Sequence, residues 1–218
     1  MDKNKIAAKE LHTAIRKGAR RKVYVGHIDE IHAVDLIEME PTIGKQHKKY
    51  KYILTCIDVF SKYAWAIPLQ NKSAISIINA LGEIWKERKP EKIWSDHEAG
   101  LFSKRTQVVL KTYNIILYET MSELKSCVIE RFNRTFKEKM EVIKTYYDLK
   151  KERYNWTKIY ANVIIEYNNT VHSKVKMTPI EASRKTNEAN IYRTVYAELF
   201  HELDKTKYEL GQRTYMEK

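Results

Sequence analysis

The chain has little of what staples small secreted folds together. Only two of its 218 residues are cysteine, Cys56 and Cys127. They are far apart, lie in apolar-patterned stretches and belong to no C-x-x-C pair, which disfavours zinc ribbons and disulfide scaffolds. Two buried, reduced thiols in an intracellular protein are expected instead. Proline and glycine are sparse, at four and six residues, and there are no repeats or low-complexity tracts. No apolar run approaches the roughly 20 residues that a membrane helix needs. The N-terminus has no apolar h-region, so neither a membrane span nor a secretory signal is expected.

What the chain does have is apolar mass and positive charge. Apolar residues make up 43% and charged residues 31%, enough for one core with a soluble surface. The net charge is +12. Residues 1–28 hold eight Lys/Arg against Asp2 and Glu10, a local excess of +6, half the total. The run Arg16-Lys17-Gly18-Ala19-Arg20-Arg21-Lys22 reads as a polyanion contact or an import signal, with a solvated tail as the plainer alternative.

Beyond this arm the pattern becomes strand-like. Ile31 to Met39, Tyr50 to Val59 and Tyr63 to Leu69 are rich in β-branched and aromatic residues, and Phe60-Ser61-Lys62 suits a hairpin link. Ser73 reads as an N-cap for a helix through Ile77, Leu81 and Trp85 that stops before Pro90. Lys92 to Ser95 is a short strand running into Asp96, Val108 to Tyr113 marks a second helix, and Ile115 to Tyr118 is a fifth strand. Helices are expected from about Ser126 to Tyr146 and from Asn155 to Asn168. A last one opens at Thr178-Pro179, with the threonine as cap and the proline at the first helical position. Three strands followed by helix, strand, helix, strand and helices is a mixed-sheet α/β order. Trp65, Trp85, Trp94 and Trp156 are expected in the core.

Three acids stand out. Asp35 lies mid-strand between apolar residues, where a carboxylate is costly to bury unless it coordinates or pairs. Asp96 ends a strand, the usual place for ligand sites in α/β sheets. If the first and fourth strands are neighbours, these two converge, and a helix crossing that edge could deliver Glu130. Converging carboxylates are what small divalent cations need, and paired cations serve phosphoryl transfer. Singly, each acid also fits a plainer role: a paired structural acid for Asp35, a turn or cap residue for Asp96, a first-turn acid for Glu130. On the same helix, Glu130, Asn133, Arg134 and Lys137 share one face, suited to DNA phosphates and bases or else a solvated charged stripe. Asp58 is read as a structural or rim acid, and His97 as a surface residue.

At this point the chain resembles a known family. Asp35-Leu36-Ile37-Glu38-Met39, the block from Tyr52 to Ala66, Ile129-Glu130-Arg131-Phe132-Asn133-Arg134-Thr135, and Tyr167-Asn168-Asn169-Thr170-Val171-His172 with Met177-Thr178-Pro179 are similar to the retroviral-type integrase core. They come closest to integrases of Maverick/Polinton DNA transposons and related viruses. The likeness runs from about Ile31 to Ser183. It implies a ribonuclease H-like fold: a five-stranded mixed sheet flanked by helices, with extra C-terminal helices. It implies an acidic triad, Asp35, Asp96 and Glu130, holding Mg²⁺ or Mn²⁺ as two ions, with Asp35 between them. It implies DNA as partner, processed at its 3′ ends and joined to a target strand, and a homo-oligomer working in the nucleus. Asn133, Arg134 and Lys137 would line the DNA, with Lys125 and the arm residues Arg16, Lys17, Arg20, Arg21 and Lys22 as further contacts.

The sequence departs from the family in three places. After Asp96 it reads His97-Glu98-Ala99-Gly100-Leu101-Phe102, where the family has glycine directly after the aspartate. The upstream His/His/Cys/Cys zinc module is missing. Tyr208-Glu209-Leu210-Gly211-Gln212 resembles the start of a small β-barrel that the chain does not complete. The expected division is a basic arm at 1–28, a catalytic core at 29–185 and a tail at 186–218. An inactive or domesticated DNA-binding module and a metal-dependent nuclease of the same fold are the rival readings.

Overall fold

A computed structural model describes residues 24–39, 50–96, 98–119 and 127–195. Five strands form one sheet in the order β3-β2-β1-β4-β5. They are β1 (Ile31–Glu38), β2 (Tyr52–Asp58), β3 (Ala64–Leu69), β4 (Lys92–Ser95) and β5 (Ile116–Glu119). β1 to β3 are an antiparallel meander, and β4 and β5 join parallel to β1. The expected mixed five-stranded sheet is therefore present. Pro68, which has no N–H to give, sits in β3, an edge strand where such a residue is tolerated.

Parallel pairing requires a crossover. α1 (Ala74–Glu87) carries the chain from β3 to β4, and α2 (Lys104–Thr112) from β4 to β5. Ser73 and Ser103 cap them, accepting from Ser76 N–H and Thr106 N–H. Both helices cover one face of the sheet, where Ile77, Leu81, Ile84 and Leu110 pack on Val34, Leu54, Cys56 and Ile93. α3 (Cys127–Leu149) and α4 (Trp156–Asn169) cover the other. There Phe132, Phe136, Met140, Trp156 and Val163 meet Ala33, Ile37, Ile53 and Ile57. β2 is buried on both sides, from Ile53 to Asp58, which explains its unbroken apolar text. Beyond Met140, α3 continues with Val142, Tyr146 and Leu149 exposed.

A short α5 (Pro179–Ala182) opens with a full capping box between Thr178 and Glu181, sharpening the expected cap. The packed body is wider than residues 29–185: Val25 and Ile28 before it and Ile191 after it belong to the core. Apolar positions in the basic arm and in the helical stretch 188–195 account for the difference. Of the four tryptophans, Trp65 and Trp156 are buried, while Trp85 and Trp94 pack from partly buried positions. Cys56 is buried, but Cys127 is only partly so, at the exposed start of α3.

One polar network lies inside this frame, where β1 begins and β2 ends. Arg88, just past α1, reaches Asp29 at 2.7 Å and Asp58 at 3.0 Å. Its guanidinium lies over the Tyr63 and Trp65 rings, 5.4 and 5.3 Å from their centroids. Buried His32 holds Asp29 at 2.7 Å through Nε2, and its Nδ1 faces the Cys56 thiol at 3.7 Å. Burial pushes the Asp29 carboxyl up, but the hydrogen bonds from His32 and Arg88 outweigh it and hold the group below its ordinary range. Asp58 is fully buried and also accepts from Ser61 and from the Phe60 N–H. It has the structural pairing expected of it.

Removing the cation from such a network strands buried carboxylates. Arg88→Met is expected to destabilise the fold by about 3–5 kcal/mol, read as a lowered urea midpoint at unchanged m-value. A loss under about 1 kcal/mol, the range of exposed pairs, would show that Arg88 does not hold this corner.

Candidate metal centre

Side chains alternate across a strand. Asp35 therefore shares the face of Ala33 and Ile37, under α3, and the parallel register finishes the placement. Val34 pairs with Ser95, so Asp35 and Asp96 come next, level with each other where β4 ends. The neighbouring of β1 and β4, on which the convergence of these two acids depended, is thus observed.

Asp35 is fixed from two sides. One carboxylate oxygen accepts the Leu36 N–H at 2.7 Å and the other accepts Asn133 Nδ2 at 2.6 Å. Burial raises its pKa most; the Leu36 N–H opposes this, the Asp96 and Glu98 carboxylates raise it further, and the Lys137 ammonium lowers it. Asp35 thus sits among like charges, with the Lys137 ammonium opposing them. Glu98 is brought in by a tight turn, its N–H donating to the Asp96 carbonyl at 2.6 Å, and Lys72 lies 3.5 Å from its carboxylate. Gly100 closes this turn against α1. A Cβ there would collide with the Lys72 carbonyl and Ile77, so the segment that departs from the family after Asp96 needs a glycine two residues past Glu98.

From α3, Asn133 bonds Asp35 directly and Lys137 acts on it as a nearby charge. Asn133 is buried, so besides any contact with DNA it anchors the aspartate, and its Oδ1 is buried without a hydrogen-bond partner. Glu130 lies one turn earlier, in the exposed first turn of α3. Asp35, Asp96 and Glu130 do not draw together as closely as Asp29, His32 and Asp58, whose ligand atoms all lie within 4.8 Å. That tighter group is nevertheless the poorer cation site, since Arg88, Ser61 and backbone N–H groups already occupy its oxygens. Around Asp35 the donor set is hard oxygen, negative in excess, with a buried amide carbonyl to spare, which fits a divalent cation. Arg134 is exposed on the same helix. Lys125, His97 and the arm residues Arg16, Lys17, Arg20, Arg21 and Lys22 lie outside the described residues.

The sequence reading missed Glu98 as a neighbour of Asp35 and missed the bond from Asn133. Glu98 had a signal, since it stands two residues past a singled-out aspartate. The Asn133 bond spans 98 residues of chain and had none.

Residues 31–119 match the family model described as Integrase core domain. The chain is 25% identical over 144 residues to an uncharacterized transposon-derived protein of Caenorhabditis elegans, covering 64% of this chain and 48% of the relative. It is 30% identical over 135 residues to the retrovirus-related Pol polyprotein from transposon gypsy of Drosophila melanogaster, covering 60% of this chain and 13% of the polyprotein. The chain thus spans about half of the worm relative and a small part of the polyprotein. Among solved structures it is similar to the HTLV-2 integrase catalytic core domain in complex with magnesium, with TM-score 0.57, 18% identity, and 72% of this chain and 97% of that one covered. It is also similar to the BIV integrase core, with TM-score 0.58, 13% identity, and 74% and 98% covered. The HTLV-2 domain was solved in trimeric and dimeric forms. The fold is the ribonuclease H-like fold of integrase catalytic cores. Together these likenesses support an integrase catalytic core.

The crowding at Asp35 has a measurable sign. A carboxyl whose folded pKa is raised destabilises the fold at neutral pH, and the penalty fades as pH falls through that pKa. Asp35→Asn removes the penalty, and a flipped Asn133 amide can accept from the new side chain through its partnerless oxygen. In metal-free buffer at pH 7 this variant is expected to melt higher than wild type. The gap should narrow towards pH 4. A variant that melts lower at pH 7 would mean that the carboxylate is well paired and not crowded.

Proposed function

We propose that this chain is the catalytic core of a metal-dependent polynucleotidyl transferase that processes DNA 3′ ends and joins them to a target strand. The supporting observation is the β1–β4 register, which sets Asp35 beside Asp96 under a helix that carries Asn133, Lys137 and Glu130. Asp35, Asp96 and Glu130 would hold Mg²⁺ or Mn²⁺, as two ions. When bound, such cations activate an attacking oxygen and stabilise a leaving one. Asn133 fixes the rotamer of Asp35, so that its carboxylate stays level with Asp96. Lys137 offsets the negative charge around Asp35 and, with Arg134, offers cations to the DNA backbone. Lys125 and the basic arm would extend that contact along the duplex. Element ends and target duplex are the substrates, a homo-oligomer brings two ends together, and the nucleus is the place of action. A source in Maverick/Polinton elements is part of the same reading.

The test is a strand-transfer assay with a terminal-repeat duplex and Mn²⁺, alongside melting curves with and without the metal. Joined product is expected from wild type. Asp35→Asn, Asp96→Asn and Glu130→Gln should each cut it at least about 100-fold, since loss of outer-shell partners alone costs 10–100-fold. Mn²⁺ should raise the melting temperature of wild type and leave Asp35→Asn unmoved. Cleavage without joined product would indicate a nuclease. Duplex binding that survives these substitutions, with no cleavage by wild type, would indicate a binding module.

A further inference from the structure

A second charged cluster borders the acids at Glu130 and extends away from them, built from three segments that two tertiary contacts pull together. Asn168, at the end of α4, clamps Ala64 at the start of β3 by accepting its N–H at 3.0 Å and donating to its carbonyl at 2.9 Å. Phe132 of α3 packs edge-on against Tyr167 of α4, with ring centroids 4.8 Å apart. These contacts bring together Lys62 from the β2–β3 turn, Arg131 from the first turns of α3, and the loop after α4 that carries His172 and Lys174.

The cluster is costly to assemble. Lys62 holds a left-handed backbone conformation, φ 67°, which a glycine would adopt more readily. Its ammonium folds back onto the Val59 carbonyl. Burial lowers its pKa to about 8; Asp58 opposes this, and Arg131 and Lys174 push it further down. Asp58 is already committed to Arg88 and Ser61. Among the described residues neither Arg131 nor Lys174 makes an ion pair. His172 is close enough to feel all three charges, its pKa lowered to about 4 by burial and then by Lys62, Arg131 and Lys174. The ring is therefore neutral near pH 7. Its Nδ1 accepts the Lys174 N–H at 3.2 Å, which leaves the ring proton on Nε2 as a further donor.

Three cations and a ring N–H, with no ion pair to Arg131 or Lys174 among the described residues and with Asp58 committed elsewhere, suit an oxyanion with several acceptor oxygens. Asp35 pairs with Thr55, and Asp58, at the other end of β2, pairs with His32. Lys62 lies beyond that end, at least about 10 Å from Asp35 along the sheet, while Arg131 directly follows Glu130 in α3, so one DNA strand could run from the acids across the cluster. We propose that Lys62, Arg131, Lys174 and His172 form a phosphodiester-binding site that grips the DNA backbone beside the Arg134–Lys137 stripe, on the side of α3 that faces the loop after α4. This rests on the reading of the chain as a DNA-acting enzyme.

The test uses the full chain and a random-sequence duplex, with affinity measured by fluorescence anisotropy across a salt series. Each phosphate contact contributes about 0.9 to the slope of log affinity against log salt. The double variant Arg131→Gln/Lys174→Gln changes only exposed side chains, and its melting curve checks that it folds. Its slope is expected to fall by about 1 or more. Arg134→Gln/Lys137→Gln serves as an independent probe of the catalytic stripe. If that variant loses slope and Arg131→Gln/Lys174→Gln does not, the second site is refuted while the enzymatic reading stands. If wild type binds no duplex, both readings fall together. If inorganic phosphate raises the melting temperature of wild type and not of the double variant, while duplex affinity is equal in both, the cluster is a small-anion site and the DNA assignment is overturned.

Discussion

β1 pairs with β2 on one side and β4 on the other, and its period of two decides which helical layer each of its side chains meets. A slip of one residue would move Asp35 from under α3 to the face packed by α1 and α2, into apolar surroundings and away from Asn133. The same slip would expose Ala33 and Ile37 to the wrong layer, so core packing defends the register. Placement of the acid is thereby a by-product of hydrophobic burial, enforced by many contacts that have nothing to do with chemistry.

The chain treats its two groups of internal acids in opposite ways. At one end of β1, Asp29 and Asp58 are neutralised by Arg88 and saturated with hydrogen bonds. Towards the other, Asp35 is held among Asp96 and Glu98 with Lys137 as the opposing charge. The first group contributes to stability and the second detracts from it. The rule that sequences break local consistency where they function marks the Asp35 end as the working one. The cluster around Lys62, which concentrates positive charge with a strained backbone, breaks the same rule with the opposite sign.

Much of this was legible in the residues. β-branched runs marked the strands, and Ser73 and Thr178 announced their helices because capping is a local interaction. The meeting of Asp35 with Asp96 was legible only conditionally, since it required β1 and β4 to be neighbours, which is a property of topology. The Asn133–Asp35 bond, the Arg88 network and the gathering of Lys62, Arg131 and Lys174 were not legible at all. Each depends on partners far apart in sequence, whose meeting follows from the order of the strands and the side on which each helix packs. Glu98 is an intermediate case, close to Asp96 in sequence but aimed by a turn whose shape depends on the fit of Gly100 against α1.

α3 runs unbroken from Cys127 to Leu149. At 1.5 Å per residue it is a beam about 34 Å long. Its first half is pinned by Phe132, Phe136 and Met140, while Val142, Tyr146 and Leu149 towards its far tip are exposed. Leverage follows. A tilt of about five degrees around the pinned half displaces the tip by about 1–2 Å, and the same rotation is felt at Asn133, whose single bond aims Asp35. Any load on the tip therefore reaches the carboxylate through a stiff rod, without a relay of intervening side chains.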